Sequence, residues 1–356
     1  MKIISVVGAR PQFVKLAPID KQMHVKGIEH VIVHTGQHYD PLLSQSFFQE
    51  LGISQPKHQL NVGSATHGAQ TGEMLIKLEK IFQEENPDWV LVYGDTNSTI
   101  AAALAAVKLQ IRVAHLEAGL RSFNRSMPEE HNRVVTDHVS DLLLAPTQIA
   151  MQHLATEGLA AKAINVGDVM TDILYVQRDA VANAPIPVPS KTKEYYIATI
   201  HRPQNTDDPQ RLQEILKAFS NLDYPVYLLA HPRLKAVMEN SEITSLWPQK
   251  IADTGSLKWC DALPYPKLVR AVMSAKAVIT DSGGLQKEAF LLQTPCITVR
   301  SETEWEETIE LGWNRLVEPG IQIIQATQEE VPAFALENPY GNGDTARLVV
   351  QTLLEF

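Results

Sequence analysis

Two carboxylates stand where predicted strands end in the first third of the chain. Asp95 follows the apolar stretch Trp89–Tyr93. Glu117 follows Val113–Leu116, and an alanine-rich helix is predicted over Ile100–Val107 between the two strands. Strands joined in this way run parallel, so both acids are expected at the same carboxyl edge of one sheet. Open α/β sheets bind their ligands at that edge, and two carboxylates converging there favour acid–base chemistry.

Each acid also has a structural interpretation. Asp95 could cap the helix that follows it, whereas Glu117 is a poor cap. Glu129 lies three residues after Ser126, with Pro128 between them. That spacing is typical of a capping box at a helix start, so the local pattern alone favours a structural role for Glu129.

Two further segments carry candidate anion ligands at strand ends. Arg10 follows the first predicted strand, and an arginine there can bind an anion through two parallel hydrogen bonds. His201 and Arg202 follow the first strand of the second half of the chain. The alternatives are a solvated arginine and a buried histidine satisfied by backbone, but an arginine beside a histidine at this position favours an anion site.

A Ser-Gly-Gly turn, Ser282-Gly283-Gly284, lies between a predicted strand and a predicted helix. Backbone N–H groups at a helix start, reached past glycines, are suited to binding phosphate. Glu288 lies about one and a half turns into this helix, where its carboxylate could accept hydrogen bonds from ribose hydroxyls. The turn is not a P-loop, and no G-x-G-x-x-G occurs, so no dinucleotide site of the Rossmann type is expected.

Composition excludes several classes of protein. A net charge of -10 over 356 residues argues against binding nucleic acid through phosphate neutralisation. The two cysteines, Cys260 and Cys296, have no metal or redox spacing, and the twelve histidines are dispersed, so no metal site is expected. No apolar run reaches the ~20 residues that cross a bilayer, and no signal peptide is recognisable. These features predict a cytoplasmic protein that binds neither nucleic acid nor membrane.

Short β-type runs alternate with helical patterns along both halves of the chain, which predicts doubly wound parallel sheets. The proline-rich segment 182–193 interrupts the alternation and reads as a linker, and a cleft is expected between the two domains. The last helix is predicted over Thr345–Leu354 with Asp344 as its cap. The predicted strands are Ile3–Val7, Val31–Thr35, Val90–Tyr93, Val113–Leu116, Leu142–Ala145, Ala163–Val166, Tyr196–Ile200, Val226–Ala230, Ala277–Thr280, Cys296–Val299 and Arg315–Val317.

Taken together, these segments resemble the non-hydrolysing UDP-N-acetylglucosamine 2-epimerases. The resemblance implies an α/β fold of GT-B type, with two Rossmann-like domains, 1–181 and 194–343, and a last helix, 344–356, that packs back on the first. It also implies a homodimer that interconverts UDP-GlcNAc and UDP-ManNAc without a cofactor or metal. The matching motifs are Gly8-x-Arg10-Pro11 with Lys15, Gly94-Asp95-Thr96, His115-x-Glu117-Ala118-Gly119-Leu120-Arg121, Pro128-Glu129-Glu130-x-Asn132-Arg133, His201-Arg202, His231-Pro232, Asp281-Ser282-Gly283-Gly284-x-Gln286, Arg300-x-x-Thr303-Glu304 and Asn338-Pro339-Tyr340-Gly341.

The same resemblance assigns the site residues, and it overrides the local interpretation of Glu129. Asp95, Glu117 and Glu129 match the family's catalytic acids; which of them takes the C2 proton and which returns one stays open. The predicted catalytic residues are Asp95, Glu117, Glu129 and His201. The predicted substrate-binding residues are Arg10, Lys15, Arg133, Arg202, Ser282, Gly283, Gly284, Glu288 and Arg300.

Two departures from the family pattern bear on function. The arginines of the family's activating UDP-GlcNAc site are missing from Gln37-His38-Tyr39-Asp40 and Thr71–Leu75, so activation by substrate is not expected. The segment Arg121–Pro128 is closer to a branch acting on UDP-2,3-diacetamido-2,3-dideoxyglucuronate, and the extra Arg125 would face the uronate carboxylate. The alternatives to a non-hydrolysing epimerase are a hydrolysing epimerase, a GT-B glycosyltransferase and an inactive UDP-sugar sensor.

Overall fold

Two fully parallel β-sheets organise the chain. The computed structural model describes residues 1–37, 48, 52–239, 255–333 and 338–356. These residues form two units, one of Met1–Ile173 with Pro339–Phe356 and one of Leu174–Asn338. No helix within these ranges is both long and apolar enough to cross a membrane.

The first unit contains a seven-stranded sheet in the order β3-β2-β1-β4-β5-β6-β7. Its strands are β1 Lys2–Val7, β2 Glu29–His34, β3 His58–Gln59, β4 Trp89–Tyr93, β5 Arg112–Leu116, β6 Leu142–Ala145 and β7 Ala163–Asn165. Its helices are α1 Arg10–Val25, α2 His67–Glu85, α3 Asn97–Lys108, α4 Pro128–Val139, α5 Gln148–Thr156, a 3₁₀ turn at Ala160–Lys162, α6 Val169–Val181, which continues into the second unit, and α14 Thr345–Glu355.

The second unit repeats the same strand order on six strands, β10-β9-β8-β11-β12-β13. Its strands are β8 Tyr196–Thr199, β9 Val226–Ala230, β10 Leu257–Asp261, β11 Ala277–Thr280, β12 Cys296–Thr298 and β13 Asn314–Leu316. Its helices are α7 Pro203–Thr206, α8 Pro209–Ser220, α9 Pro232–Met238, α10 Tyr265–Ser274, α11 Gly283–Leu291, α12 Glu306–Glu310 and α13 Ile321–Gln328.

Successive residues of the central strands point to opposite faces of each sheet, and helices cover both faces. Ile3 and Val7 of β1 pack in a core with α1 and α14. Ile4 and Val6 pack in a second core with α2 and α3. Because both faces are buried, a parallel strand reads as a nearly continuous apolar run, which is why sequence patterns predict these strands well.

All eleven predicted strands are present, with ends that differ by two residues at most. The predicted linker 182–193 contains neither helix nor strand, and its Val188 is buried against Tyr195 and Tyr227 of the second unit. Asp344 stands at the N-cap of the last helix, as predicted, but its side chain makes no capping hydrogen bond. Instead Asp172 of α6 accepts hydrogen bonds from the backbone N–H groups of Thr345 at 3.0 Å and Ala346 at 2.8 Å.

Candidate active site

The order of strands in the first sheet reverses between β1 and β4, and the predicted acids lie at the carboxyl ends beside this point. Gln12 joins the loops that follow β1 and β4 at this point. Its Oε1 accepts hydrogen bonds from the N–H groups of Gly8 and Ala9 at 2.8 and 3.0 Å. Its Nε2 donates to the carbonyl oxygen of Tyr93 at 2.8 Å. Gln12 was not singled out from the sequence, since nothing local shows that its amide spans two strand ends.

Glu117 occupies a left-handed turn immediately after β5, with φ of 72°. Its N–H donates to the carbonyl oxygen of Leu144 at 3.1 Å, and its carboxylate forms an ion pair with Lys15 of α1. Gly94 faces this pair, and a Cβ added there would lie 3.2 Å from Oε2 of Glu117. Burial lowers the pKa of Lys15, but the adjacent Glu117 carboxylate, with Asp168 and Asp95, raises it, so the net direction is upward and Lys15 stays cationic.

Asp95 directs its carboxylate to Arg133 rather than to a helix start. The N-cap of α3 is Thr96, whose side chain accepts from the N–H of Thr99, so the capping interpretation of Asp95 was wrong. The Asp95 carboxylate forms an ion pair with Nη2 of Arg133. Nη1 of the same guanidinium donates to Glu130 at 3.0 Å. Arg133 thus lies between two carboxylates, and its predicted contact with substrate stays a prediction.

Glu129 lies exposed in the first turn of α4. The N-cap of this helix is Met127, which makes no side-chain capping bond, so the capping box of Ser126 and Glu129 is not formed. The hydroxyl of Ser126 donates instead to Oδ1 of Asn124 at 2.7 Å. The buried member of the acidic pair is Glu130. Local structure therefore leaves the side chain of Glu129 available for another role.

In the second unit, Asp281 organises the corresponding strand ends after β8 and β11. This fully buried carboxylate accepts from the N–H groups of His201 at 3.0 Å and Arg202 at 2.9 Å, and from the amide of Asn205 at 3.1 Å. The ring of His201 has Nδ1 3.2 Å from Asp281 and lies against the ring of His231, with a centroid distance of 4.8 Å and an angle of 30° between the ring planes. Burial lowers the pKa of His201, as do the neighbouring His231 and Arg202, although Asp281 opposes the shift. His201 is thereby favoured as a neutral ring.

The Ser-Gly-Gly turn begins α11 as predicted. Ser282 is the N-cap, but its side chain makes no capping hydrogen bond. Gly284 is exposed, and a Cβ added there would meet nothing within 4 Å. The first N–H groups of a helix have no partner within the helix, so this open start offers donors and a positive dipole end to an anion.

Three more predicted ligands lie around this helix start. Oε1 of Glu288 accepts from the hydroxyl of Tyr265 at 3.0 Å, and burial raises the pKa of the Glu288 carboxyl. Arg300 lines a pocket of about 360 Å³ and donates to Glu304 at 2.8 Å. Nη2 of Arg202 lies 3.8 Å from the same Glu304.

Some predicted positions fall outside the structural description. The side chain of Arg10 is not among the described residues, although its backbone begins α1. His38, Tyr39 and Asp40 also lie outside them, so the expected lack of a second UDP-GlcNAc site stays a prediction. Among the residues that are described, no cluster of three or more His, Cys, Asp or Glu side chains could hold a metal ion.

Comparison with known proteins extends the likeness over the whole chain. A protein of Methanococcus maripaludis described as a UDP-N-acetylglucosamine 2-epimerase homolog is 44% identical over 99% of both chains. The UDP-2,3-diacetamido-2,3-dideoxy-D-glucuronate 2-epimerase of Pseudomonas aeruginosa is 42% identical, also over 99% of both. The solved structure of UDP-GlcNAc 2-epimerase from Methanocaldococcus jannaschii superposes with a TM-score of 0.85 at 37% identity, covering 100% of each chain.

The two parallel-sheet α/β domains therefore match the GT-B-like fold of these isomerases, as the sequence predicted. The family profile described as UDP-N-acetylglucosamine 2-epimerase matches residues 21–354. The chain belongs to the UDP-N-acetylglucosamine 2-epimerase family.

Proposed function

We propose that the protein is a non-hydrolysing epimerase that interconverts UDP-GlcNAc and UDP-ManNAc. In the first step a carboxylate takes the proton from C2 while the anomeric C–O bond breaks, which gives UDP and a 2-acetamidoglucal. In the second step UDP adds back to C1, and a proton is delivered to the opposite face of C2. The observation that carries the proposal is the pair of carboxylates, Asp95 and Glu117, at the ends of the neighbouring strands β4 and β5.

The first unit is assigned the proton transfers. Asp95 and Glu117 are each held by a cation, Arg133 and Lys15 respectively, which orients the two carboxylates. Glu129 is exposed on α4 and is the third candidate acid. Inversion at C2 needs one group to remove a proton and another to return one, so more than one acid is required.

The second unit is assigned the nucleotide. The C2 hydrogen beside an acetamido group is only weakly acidic. The barrier is therefore lowered chiefly by making UDP a good leaving group, which requires that its diphosphate charge be stabilised. The uncapped start of α11 supplies backbone N–H donors, and His201 supplies a further polar group. Glu288, which Tyr265 hydrogen-bonds, is assigned to the ribose hydroxyls.

A second candidate substrate is UDP-2,3-diacetamido-2,3-dideoxyglucuronate, favoured by an arginine on the loop before α4. Arg125 is exposed, and its carbonyl oxygen lies 2.9 Å from Nε2 of His131. The start of the loop is anchored because Glu130 accepts from the N–H groups of Ser122 at 2.9 Å and Phe123 at 3.0 Å. An anchored arginine can bind a carboxylate bidentately, and the related Pseudomonas aeruginosa enzyme carries this uronate in its name.

Proton NMR of the protein with UDP-GlcNAc in D2O tests the proposal. We expect UDP-ManNAc carrying deuterium at C2, because the removed proton exchanges with solvent. Release of free sugar would indicate a hydrolysing enzyme, and release of UDP only with an added sugar acceptor would indicate a glycosyltransferase. Turnover of the diacetamido-uronate alone would establish the second substrate.

The variants Arg125→Ala and Arg125→Lys then separate the two substrates. Loss of the guanidinium fork in both should raise KM for the uronate and leave the neutral sugar unchanged. Equal turnover of both substrates by wild type and variants would remove the role of Arg125.

A further inference from the structure

Behind the two strand-end acids lies a buried carboxylate that touches neither of them. Asp137 of α4 is fully buried. Its Oδ1 lies 2.7 Å from Nδ1 of His115, and its Oδ2 accepts from the N–H of Gly119 at 3.1 Å and lies 2.8 Å from Nη1 of Arg121. Nε2 of His115, itself fully buried, lies 2.7 Å from the carbonyl oxygen of Gly94.

These bonds end on the two turns that carry the acids. Gly94 has φ of 62° and directly precedes Asp95. Glu117 and Gly119 have φ of 72° and 84° in the turn after β5. A left-handed non-glycine residue costs about 1–2 kcal/mol and persists only where its surroundings hold it. Asp137 holds the second turn directly through Gly119 and the first turn indirectly through the imidazole of His115.

We propose that Asp137, acting partly through His115, is a positioning residue that fixes Asp95 and Glu117 relative to each other. The inference rests on the proposed epimerase function. A buried ion cluster adds little net stability compared with apolar packing, so stability alone does not account for a carboxylate at this place. The need to position the acids accounts for it, because a reacting group misplaced by about 1 Å slows the reaction roughly 100-fold.

Two isosteric substitutions of His115 separate its two hydrogen bonds. The amide nitrogen of Gln reaches the position of Nε2, so His115→Gln keeps the donor to Gly94. The amide nitrogen of Asn reaches the position of Nδ1, so His115→Asn keeps the donor to Asp137 and loses the one to Gly94. Asp141→Asn is the matched control, because Asp141 accepts from the N–H of Val113 at 2.8 Å at the other end of β5.

We expect His115→Asn to lower kcat roughly 100-fold with KM and UDP affinity within about twofold of wild type, since only the position of the acid changes. His115→Gln keeps the bond to Gly94 but loses the one to Asp137, so it should lower kcat by about tenfold, and Asp141→Asn should retain kcat fully. Full kcat in His115→Gln would show that Asp137 does not act through His115, and full kcat in His115→Asn or a parallel loss of UDP affinity would overturn the proposal.

Amide hydrogen exchange provides a readout that does not depend on turnover. His115→Asn should speed exchange in a peptide covering 94–96 and leave 117–121 unchanged, whereas Asp137→Asn should speed exchange in both. Unchanged exchange at 94–96 in His115→Asn would refute the positioning role. A wild-type protein without activity would refute the proposed function alone, and the exchange result would still decide this inference. If Asp137→Asn does not fold, the two His115 variants decide it.

Discussion

Nζ of Lys15 and Oε2 of Glu117 form an ion pair between the first helix and the end of the fifth strand. The side chains are 14% and 10% exposed, so water screens their charges little. Because each charge is compensated by the other, removing one leaves its partner buried without an opposite charge. The stability of the first unit therefore depends on the charge of its candidate catalytic acid, Glu117.

Glu117→Gln should abolish turnover while leaving UDP binding intact. The amide keeps the shape of the side chain but cannot take or deliver a proton, and loss of general acid–base catalysis typically costs 10²–10⁴-fold in rate. Steady-state kinetics and UDP titration calorimetry check this, and Asp95→Asn should behave alike. Glu84→Gln on the exposed face of α2 is the control. Loss of UDP affinity in either acid variant would contradict the assigned roles.

Lys15→Met and Glu117→Gln should show non-additive effects on stability. Each single variant leaves one buried charge without its opposite charge, whereas the double variant removes both charges, so a coupling of about 1–3 kcal/mol is expected. Urea denaturation of the wild type, both single variants and the double variant measures the cycle. Additive free energies of unfolding would show that the ion pair contributes nothing to the fold.

The strands, and the positions of the candidate residues at their ends, could be predicted because parallel strands buried on both faces leave apolar runs that stop abruptly. Two further strands, found in the part of the chain that the structure describes, lack that pattern. β3 is only His58–Gln59, and β10, Leu257–Asp261, is an edge strand that contains Lys258 and a terminal aspartate. Edge strands are half-exposed and tolerate charge, so neither run reads as a strand.

The helix caps were harder to predict than the helices. Sequence patterns depend only on neighbouring residues. They offered capping as the alternative role of Asp95 and favoured it for Ser126 and Asp344, but none of these three side chains makes a capping hydrogen bond. The last helix is instead held by Asp172, far away in the chain, and the side-chain amide of Gln12 joins two loops that no local pattern connects. Such contacts arise only when the sheet is assembled.

His201→Ala should lower kcat without unfolding the second unit. The backbone N–H of residue 201 still donates to Asp281 in the variant, so the loop stays anchored while the imidazole beside the helix start is lost. A loss of roughly 10²-fold is expected for one group that stabilises a leaving group. Kinetics and a thermal melt check it, with Lys217→Ala on the exposed face of α8 as the control. Full kcat in His201→Ala would remove His201 from the diphosphate site.

Asp172→Ala should loosen the attachment of the last helix. The Asp172 carboxylate accepts from two N–H groups in the first turn of α14, and loss of such a cap costs about 0.5–2 kcal/mol. Urea denaturation measures the loss, and exchange of amides in 345–350 should rise. Asp344→Ala is the control, because Asp344 makes no capping bond there. A larger loss of stability in Asp344→Ala than in Asp172→Ala would show that Asp344, and not Asp172, holds the start of the last helix.

His34 should make the first unit less stable in mild acid. Its ring packs 5.1 Å from Phe13 and 6.2 Å from Phe48 between centroids, and among the described residues its Nε2 has no hydrogen-bond partner. Burial lowers the pKa of His34 from 6.5 to about 4. The unfolded chain therefore binds the proton first, so stability is fully present above pH 6.5 and falls as the pH drops from 6.5 towards 4.

A shift of that size corresponds to about 3 kcal/mol lost over the interval. His34→Phe keeps an aromatic ring and cannot titrate, so its free energy of unfolding should depend less on pH across this range. Urea denaturation at several pH values between 7.5 and 4.5 measures both slopes, and His24→Asn serves as the control because the His24 side chain is exposed. Identical slopes for wild type and His34→Phe would show that the fold does not hold His34 as the neutral ring.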